Sequence, residues 1–432
     1  MRVRGKLDGR VTERRFKAGW LAVWLAAAGS VAVSAEVRYA VIPLIEGGPM
    51  LVPEGMGLNE KGEVVGSTDL FGAATFWIWR NGQRETLEFG PGYRGVPTAI
   101  DNLGRVVGAC ESGLSLDHAI LWEAGHLTDL GTLGGEMSSA LWINDAGAII
   151  GASDNALMND RIPFLWQNGR MRPISSLATN AQGWTFALET HYVAADGRIW
   201  GAGTYRGTEG CIYEMTPQPD GDYSIRKRGQ IQGIDPRVYA FNESGQAAGI
   251  AWIDEGGPIG PVLQGFLWDE RGTVALGALN KHGSYAYALN SGGQVVGYCE
   301  TAFLWENGVM FDLNDLIPPN GGYRLHSAEA INDAGMIVCK SGNLTTGRTG
   351  ACLLVPLTQI KLELTDGDWT PEGVRFEVWG GAGLPLAIDS SSNATAWTQL
   401  TILTNLTAPR QFVDPDSRQI GSRFYRARLA LP

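Results

Sequence analysis

The chain has 432 residues, of which 44% are hydrophobic and 18% charged, enough apolar material for packed cores in two or three domains. Glycine is abundant at 59 residues while proline stands at 20, which excludes a disordered low-complexity chain and fits many short strands joined by tight turns. The formal charge of −11 argues against nucleic acid and anionic membranes as partners.

Residues 1–35 read as a signal peptide. Arg2, Arg4, Lys6, Arg10, Arg14, Arg15 and Lys17 form a basic start, Ala18 to Val33 is an apolar run, and Val33-Ser34-Ala35 is a small-residue cleavage site. An uncleaved anchor is the alternative for the same run. No other stretch is apolar enough to cross a bilayer, so the mature chain is expected to have no membrane span. Removing the leader takes away seven Lys/Arg and two Asp/Glu and moves the formal charge to −16. The expected location is secreted, periplasmic or cell-surface.

Residues 36–357 carry an internal repeat, and the repeat decides the fold. The phrase GLNEKGEVVG at 57–66 returns as AIDNLGRVVG at 99–108, WINDAGAIIG at 142–151, VAADGRIWG at 193–201, AFNESGQAAG at 240–249, ALNSGGQVVG at 288–297 and AINDAGMIVC at 330–339. The spacings between successive central glycines, from Gly62 to Gly335, are 42, 43, 50, 48, 48 and 42. Each copy is an apolar run, a Gly-containing turn that carries Asn in all but the fourth, where Ala194 replaces it, and a second apolar run, which predicts a hairpin. A second phrase follows each copy, with Trp79, Trp122, Trp166, Trp268 and Trp305 at a shared position, Tyr213 in the fourth and Leu354 in the seventh. An Asn-Gly turn after several of these marks another hairpin.

Four short antiparallel strands in about 45 residues match the blade of a propeller. The regular place of the tryptophans points to packing between blades. The seventh copy lacks a last strand, and Val37 to Leu44 reads as the missing one. The expected architecture is therefore an all-β, seven-bladed β-propeller closed by the N-terminal strand, which removes open sheet edges.

The loops that vary between copies, with the linkers between blades, fall on one face of such a ring. They carry Tyr93, Trp184, Tyr205, Trp252, Asp254, Glu255 and Tyr323, aromatics and acids suited to carbohydrate stacking or protein contact. Of the five cysteines, Cys339 and Cys352 fall on successive predicted strands and can pair as a disulfide after export. They are equally readable as small buried apolar residues. No catalytic motif, zinc spacing, P-loop or cofactor fingerprint occurs, so no catalytic residue, metal ligand or cofactor is assigned.

These phrases resemble the extracellular HAF-type repeat, named for a His-Ala-Phe strand start. His118-Ala119-Ile120-Leu121-Trp122 is close to that start, Thr301 to Trp305 keeps its last letters, and Leu127 to Gly135 is similar to the family's other signature. The resemblance implies a secreted bacterial repeat protein and no particular activity. Residues 358–432 leave the repeat. Their alternating strands and the closing FYRARL at 424–429 resemble the small fibronectin-like β-sandwich that ends many secreted bacterial proteins.

Three functions compete on these grounds. The first is a monomeric, non-enzymatic binding or adhesion protein recognising carbohydrate or protein through the propeller loops. The second is a polysaccharide hydrolase or lyase using carboxylates on that face. The third is a structural protein that assembles with envelope proteins.

Overall fold

In the computed structural model the described residues are 37–47, 53–70, 73–87, 93–112, 117–156, 161–254, 256, 260–279, 283–319, 321–359, 361–370, 372–379, 386–403, 410–419 and 424–430. Residues 1–36, with the expected signal peptide, lie outside them. The chain divides into a compact unit ending at Thr358 and another beginning at Gln359.

The first unit is a propeller-like array of four-stranded antiparallel sheets, one per repeat, with seven such sheets among the described residues. The first strands of the sheets are Pro53–Leu58, Tyr93–Ile100, Gly134–Ile143, Trp184–Val193, Ile234–Phe241, Tyr285–Leu289 and Tyr323–Ile331. The second strands are Val64–Leu70, Val106–Ser112, Ile149–Asn155, Ile199–Tyr205, Ala247–Ile253, Val295–Tyr298 and Ile337–Asn343. The third strands, which carry the repeated Trp position, run from Ala73–Arg80 in the first sheet to Thr349–Pro356 in the seventh. In the seventh sheet the fourth strand is Tyr39–Glu46, antiparallel to Thr349–Pro356 with Tyr39 opposite Pro356 and Val41 opposite Leu354. The orphan N-terminal segment thus supplies the strand that the last repeat lacks.

The repeat turn explains the sheet geometry. The central glycines adopt φ between 75 and 83° at all seven turns, a conformation that a Cβ penalises. Asn59 shows what the turn's side chain does. Its Oδ1 accepts from the backbone N–H groups of Lys61 (3.1 Å) and Glu63 (2.9 Å), so the side chain closes the loop the backbone cannot. The Asn81-Gly82, Asn168-Gly169 and Asn307-Gly308 turns have positive φ at both residues, as the two-residue turn that follows strand twist requires.

The cores lie between adjacent sheets. Ile78 and Phe76 of the first sheet meet Ile120 and Trp122 of the second, and the same arrangement recurs to Leu304 of the sixth against Leu354 of the seventh. The Trp position is buried at Trp79, Trp122, Trp268 and Trp305, as are its substitutes Tyr213 and Leu354. Burial of one such ring is worth about 2–3 kcal/mol.

The second unit holds two three-stranded sheets. One is Lys361–Thr370, Gly373–Trp379 and Arg410–Asp414. The other is Thr398–Leu403, Leu386–Ser391 and Phe424–Leu429. Alternation along FYRARL decides the roles of its residues. Tyr425 is buried, packs edge-on to Phe376 at 4.4 Å, and donates its hydroxyl to Asp414 Oδ2 at 2.7 Å. Arg426 and Arg428 both bond the buried Asp389, at 2.9 and 2.8 Å. That carboxylate is neutralised by two guanidinium groups, which offsets the cost of burying it.

Candidate functional site

The first strands line a cavity of 680 Å³, within the range of roughly 300–1,000 Å³ typical of small-molecule sites. Its wall includes the repeat turns at one end, from Asn59 and Glu60 to Asp333, and Tyr239, Tyr287 and Glu329 further along the strands.

At the turn end the sheets are tied by two hydrogen-bond series. In one, the repeat Asn donates Nδ2 to the carbonyl of the matching residue in the next sheet. Asn59 reaches Asp101 (2.8 Å), Asn144 reaches Ala194 (2.9 Å), Asn242 reaches Asn290 (3.0 Å), Asn290 reaches Asn332 (3.1 Å), and Asn332 returns to Asn59 (3.0 Å). Where the second repeat has Asp101 in place of Asn, Arg105 pairs with it at 2.5 Å and itself donates to the carbonyls of Asn144 and Asp145. Where the fourth has Ala194, Tyr192 donates its hydroxyl to Glu243 Oε1 at 2.8 Å, and the Ala195 N–H bonds the same carboxylate.

In the second series the backbone N–H after the Asn donates to the side chain one sheet on. Glu60 bonds Asn102, Asn102 bonds Asp145, Ser291 bonds Asp333, and Asp333 bonds Glu60, at 2.7–3.0 Å. The carboxylates at this mouth therefore serve as acceptors between sheets. Desolvation, with the charges of Asp333 and Asp145 nearby, raises the Glu60 carboxyl above its ordinary value. Burial and then Glu243 push the Tyr192 phenol well up.

Three residues before the repeat Asn, the first strand carries an extra residue. The register skips Thr98, Leu141, Tyr239, Tyr287 and Glu329, the signature of a β-bulge. All five line the cavity, except that Leu141 shares its stretch of wall with Trp142. In four of these sheets the glycine that ends the repeat phrase permits this, whereas the seventh has Cys339 at that place. A Cβ on Gly108, Gly151, Gly249 or Gly297 would fall 1.9–2.2 Å from the facing carbonyl oxygen of Val96, Ser139, Arg237 or Tyr285. The position after that carbonyl's neighbour is the bulged one, so close backbone approach and bulge belong together.

In the fifth and sixth sheets the bulge residues start a run of tyrosines. Ring centroids lie 6.3 Å apart for Tyr239 and Tyr287, 6.4 Å for Tyr287 and Tyr285, and 6.2 Å for Tyr285 and Tyr298. Tyr285 and Tyr298 are opposite each other across strands. Glu329 stands next to this run, held by the Ser327 hydroxyl and by Lys340 Nζ at 3.5 Å. Burial, and then the charge of Glu329, push the Tyr287 phenol up to about 12.

The residues expected from sequence are dispersed. Trp184 and Tyr205 do meet, at 4.8 Å, but Trp184 is half-buried against Tyr213 and Phe186. It packs on the core of its own sheet and is not an open stacking platform. Arg206 and Lys227 lie over the Tyr205 ring at 5.1 and 5.9 Å. Trp252 is 44% exposed beside the exposed Ile234. Asp254 caps its own loop through the Gly256 N–H. Tyr323 donates to Glu46 at 2.8 Å and borders a separate groove of 800 Å³ with Arg324 and Asp312. The Tyr93 side chain and Glu255 lie outside the described residues. Sequence reasoning missed Tyr239, Tyr287 and Glu329. Their shared offset from the repeat Asn was the available signal.

Cys339 and Cys352 are cross-strand partners in the seventh sheet, both buried and both free thiols. Burial, then hydrogen bonding between the two, raises Cys339 well above the ordinary thiol value. The pair therefore sits opposed but unbonded, and packs as small apolar residues do.

Among the described residues no group of three or more His, Cys, Asp or Glu could hold a metal, and no helix is long and apolar enough to cross a membrane.

No family model matches the chain, and no curated protein matches it. Solved structures are similar only at a distance. YCF48 from Cyanidioschyzon merolae is 9% identical with a TM-score of 0.41, over 74% of this chain and 99% of that one. XC5397 from Xanthomonas campestris, described as a gluconolactonase, is 13% identical with a TM-score of 0.34, over 74% and 91%. TolB from Acinetobacter baumannii has the same identity and TM-score, but this chain spans only about half its length, 54%.

Proposed function

We propose that this chain is a secreted or envelope-associated bacterial binding protein, a seven-bladed β-propeller closed by its N-terminal strand and followed by a small β-sandwich. It recognises carbohydrate or protein at the cavity and the loops beyond it, and performs no chemistry on its ligand. The observation that carries this reading is the contrast within the first strands of five sheets. The turn end is held by hydrogen bonds from sheet to sheet, whereas the bulge position varies through Thr98, Leu141, Tyr239, Tyr287 and Glu329. A rigid frame with a varied lining is how a scaffold presents a site.

Binding is favoured over hydrolysis because the lining carboxylates are committed. Asp145, Glu243, Asp333 and Glu60 accept backbone N–H groups, and Glu329 is held by Ser327 and Lys340. A glycosidase needs one carboxyl free to give up its proton and a second to attack or activate water. The test mixes the purified mature protein with soluble and insoluble polysaccharides and records protein depletion and released sugar. Depletion without release is the expected result. Released sugar would replace this reading with the hydrolase, and neither outcome on any polymer would turn the search to protein ligands.

A further inference from the structure

We infer that Tyr239, Tyr287, Tyr285 and Tyr298 form a binding track for a neutral oligosaccharide, with Glu329 as the polar group that orients it. The inference rests on the binding reading above and names the ligand of that site.

The run begins on the cavity wall, where Tyr239 and Tyr287 stand on neighbouring sheets, and continues through Tyr285 to Tyr298 on the second strand. Its two ends are open, with Tyr239 36% and Tyr298 37% exposed. Successive rings are inclined by 43–59°, so they do not stack flat on one another. A track of this kind suits a ligand that is itself a chain of rings with apolar C–H faces and a rim of hydroxyls.

Aromatic bodies with a few convergent polar groups are the usual make-up of a small-molecule site. The phenols add donors and acceptors along the track. Glu329 adds a charged acceptor whose position is fixed by Ser327 and Lys340, and charge-assisted bonds of this type are the stronger ones. The Tyr287 phenol, like any phenol, is protonated at neutral pH and can donate.

Charge selects the neutral class. The chain is acidic overall at −11, and the cavity wall contributes Glu60, Asp145, Glu243, Glu329 and Asp333. An anionic glycan would meet like charge from both sources. A proline-rich peptide could also use an aromatic groove, but it lacks hydroxyl donors for Glu329.

The test measures binding of neutral gluco-, manno-, galacto- and xylo-oligosaccharides to the purified protein by calorimetry. The wild type is compared with Tyr239→Ala, Tyr298→Ala, Tyr287→Phe and, at an exposed site on an outer strand, Val274→Ala, each checked for an unchanged melting transition. At least one sugar series is expected to bind. Tyr239→Ala and Tyr298→Ala should each lose affinity by about ten-fold, the scale of an aromatic contact at a binding surface. Tyr287→Phe should lose about three-fold through its hydroxyl, and Val274→Ala should bind as wild type. Sugar binding that survives both alanine changes overturns the track and leaves the binding reading standing. Absence of sugar binding, with or without capture of a proline-rich peptide, overturns the neutral-saccharide assignment. Release of reducing ends from the sugars overturns the binding reading itself.

Discussion

The two ends of the first strands obey different rules. At the turn end, Asn59, Asn144, Asn242, Asn290 and Asn332 occupy equivalent places and do the same two jobs, closing their own turn and bonding the next sheet. Three residues back, the equivalent places hold Met56, Leu141, Tyr239, Tyr287 and Glu329. The difference teaches where a repeat protein stores its two kinds of information. Constant positions hold the sheets together, and the places released from that duty are free to differ. Departures from the rule support it. Asp101 is rescued by Arg105, and Ala194 by Tyr192 acting on Glu243.

The largest test strikes the glycine that lets the bulge form. Gly297→Ala puts a Cβ 1.9 Å from the Tyr285 oxygen, and an overpacked site of this kind costs about 3 kcal/mol. Thermal unfolding followed by circular dichroism should show the loss, and an unchanged melt would mean that the bulge is not fixed by that glycine. Next comes a paired measurement. Asn332→Ala removes the bond to Asn59 and the cap on Met336 and should cost about 2 kcal/mol in denaturant midpoint. Tyr239→Leu, at the variable place, should stay within about 0.5 kcal/mol. Equal costs for the two would break the comparison.

A smaller effect is expected at high pH. Tyr287 and Tyr323 are each pushed up to about 12, against an ordinary phenol value near 10. The folded state then holds protons that the unfolded state releases, so stability is complete below about pH 10 and falls as pH rises toward 12. Denaturant midpoints from pH 8 to 11 should trace that decline, with a shallower slope in Tyr287→Phe. The smallest effect fills a gap. Ala195 stands where the second repeat has Asn102. Ala195→Asn offers the Asp145 N–H the acceptor that Asn102 gives Glu60, and should raise the midpoint by the equivalent of about 0.5 kcal/mol.

Much of the architecture was legible because the turn chemistry is local. The Asn-x-x-Gly phrase states its own hairpin, and the recurring Trp states which strand is buried. The strand Tyr39–Glu46 could be matched to the last repeat because that repeat was visibly short of one. The site was less legible. Trp184 reads as a loop aromatic, yet its ring turns back onto Tyr213 and Phe186 with Tyr205 beside it, a contact that no local pattern announces. Tyr239 and Tyr287 sit inside the strands Ile234–Phe241 and Tyr285–Leu289, away from the variable loops. A bulge breaks the alternation of a strand, and its traces in the sequence are the fixed offset from the repeat Asn and, in four sheets, a glycine one strand away.

The pairing of Tyr39–Glu46 with Thr349–Pro356 also sets the order in which the protein can be assembled. The first strand to emerge has to wait for the last repeat, some three hundred residues later. The entropy of closing a loop that long grows only with the logarithm of its length, but the search for so distant a partner is slow. Until it succeeds, the first segment and the final sheet are both exposed hydrogen-bonding edges. A chain cut short anywhere before Pro356 would never satisfy them, and its nascent sheets would be left to pair with a neighbouring molecule.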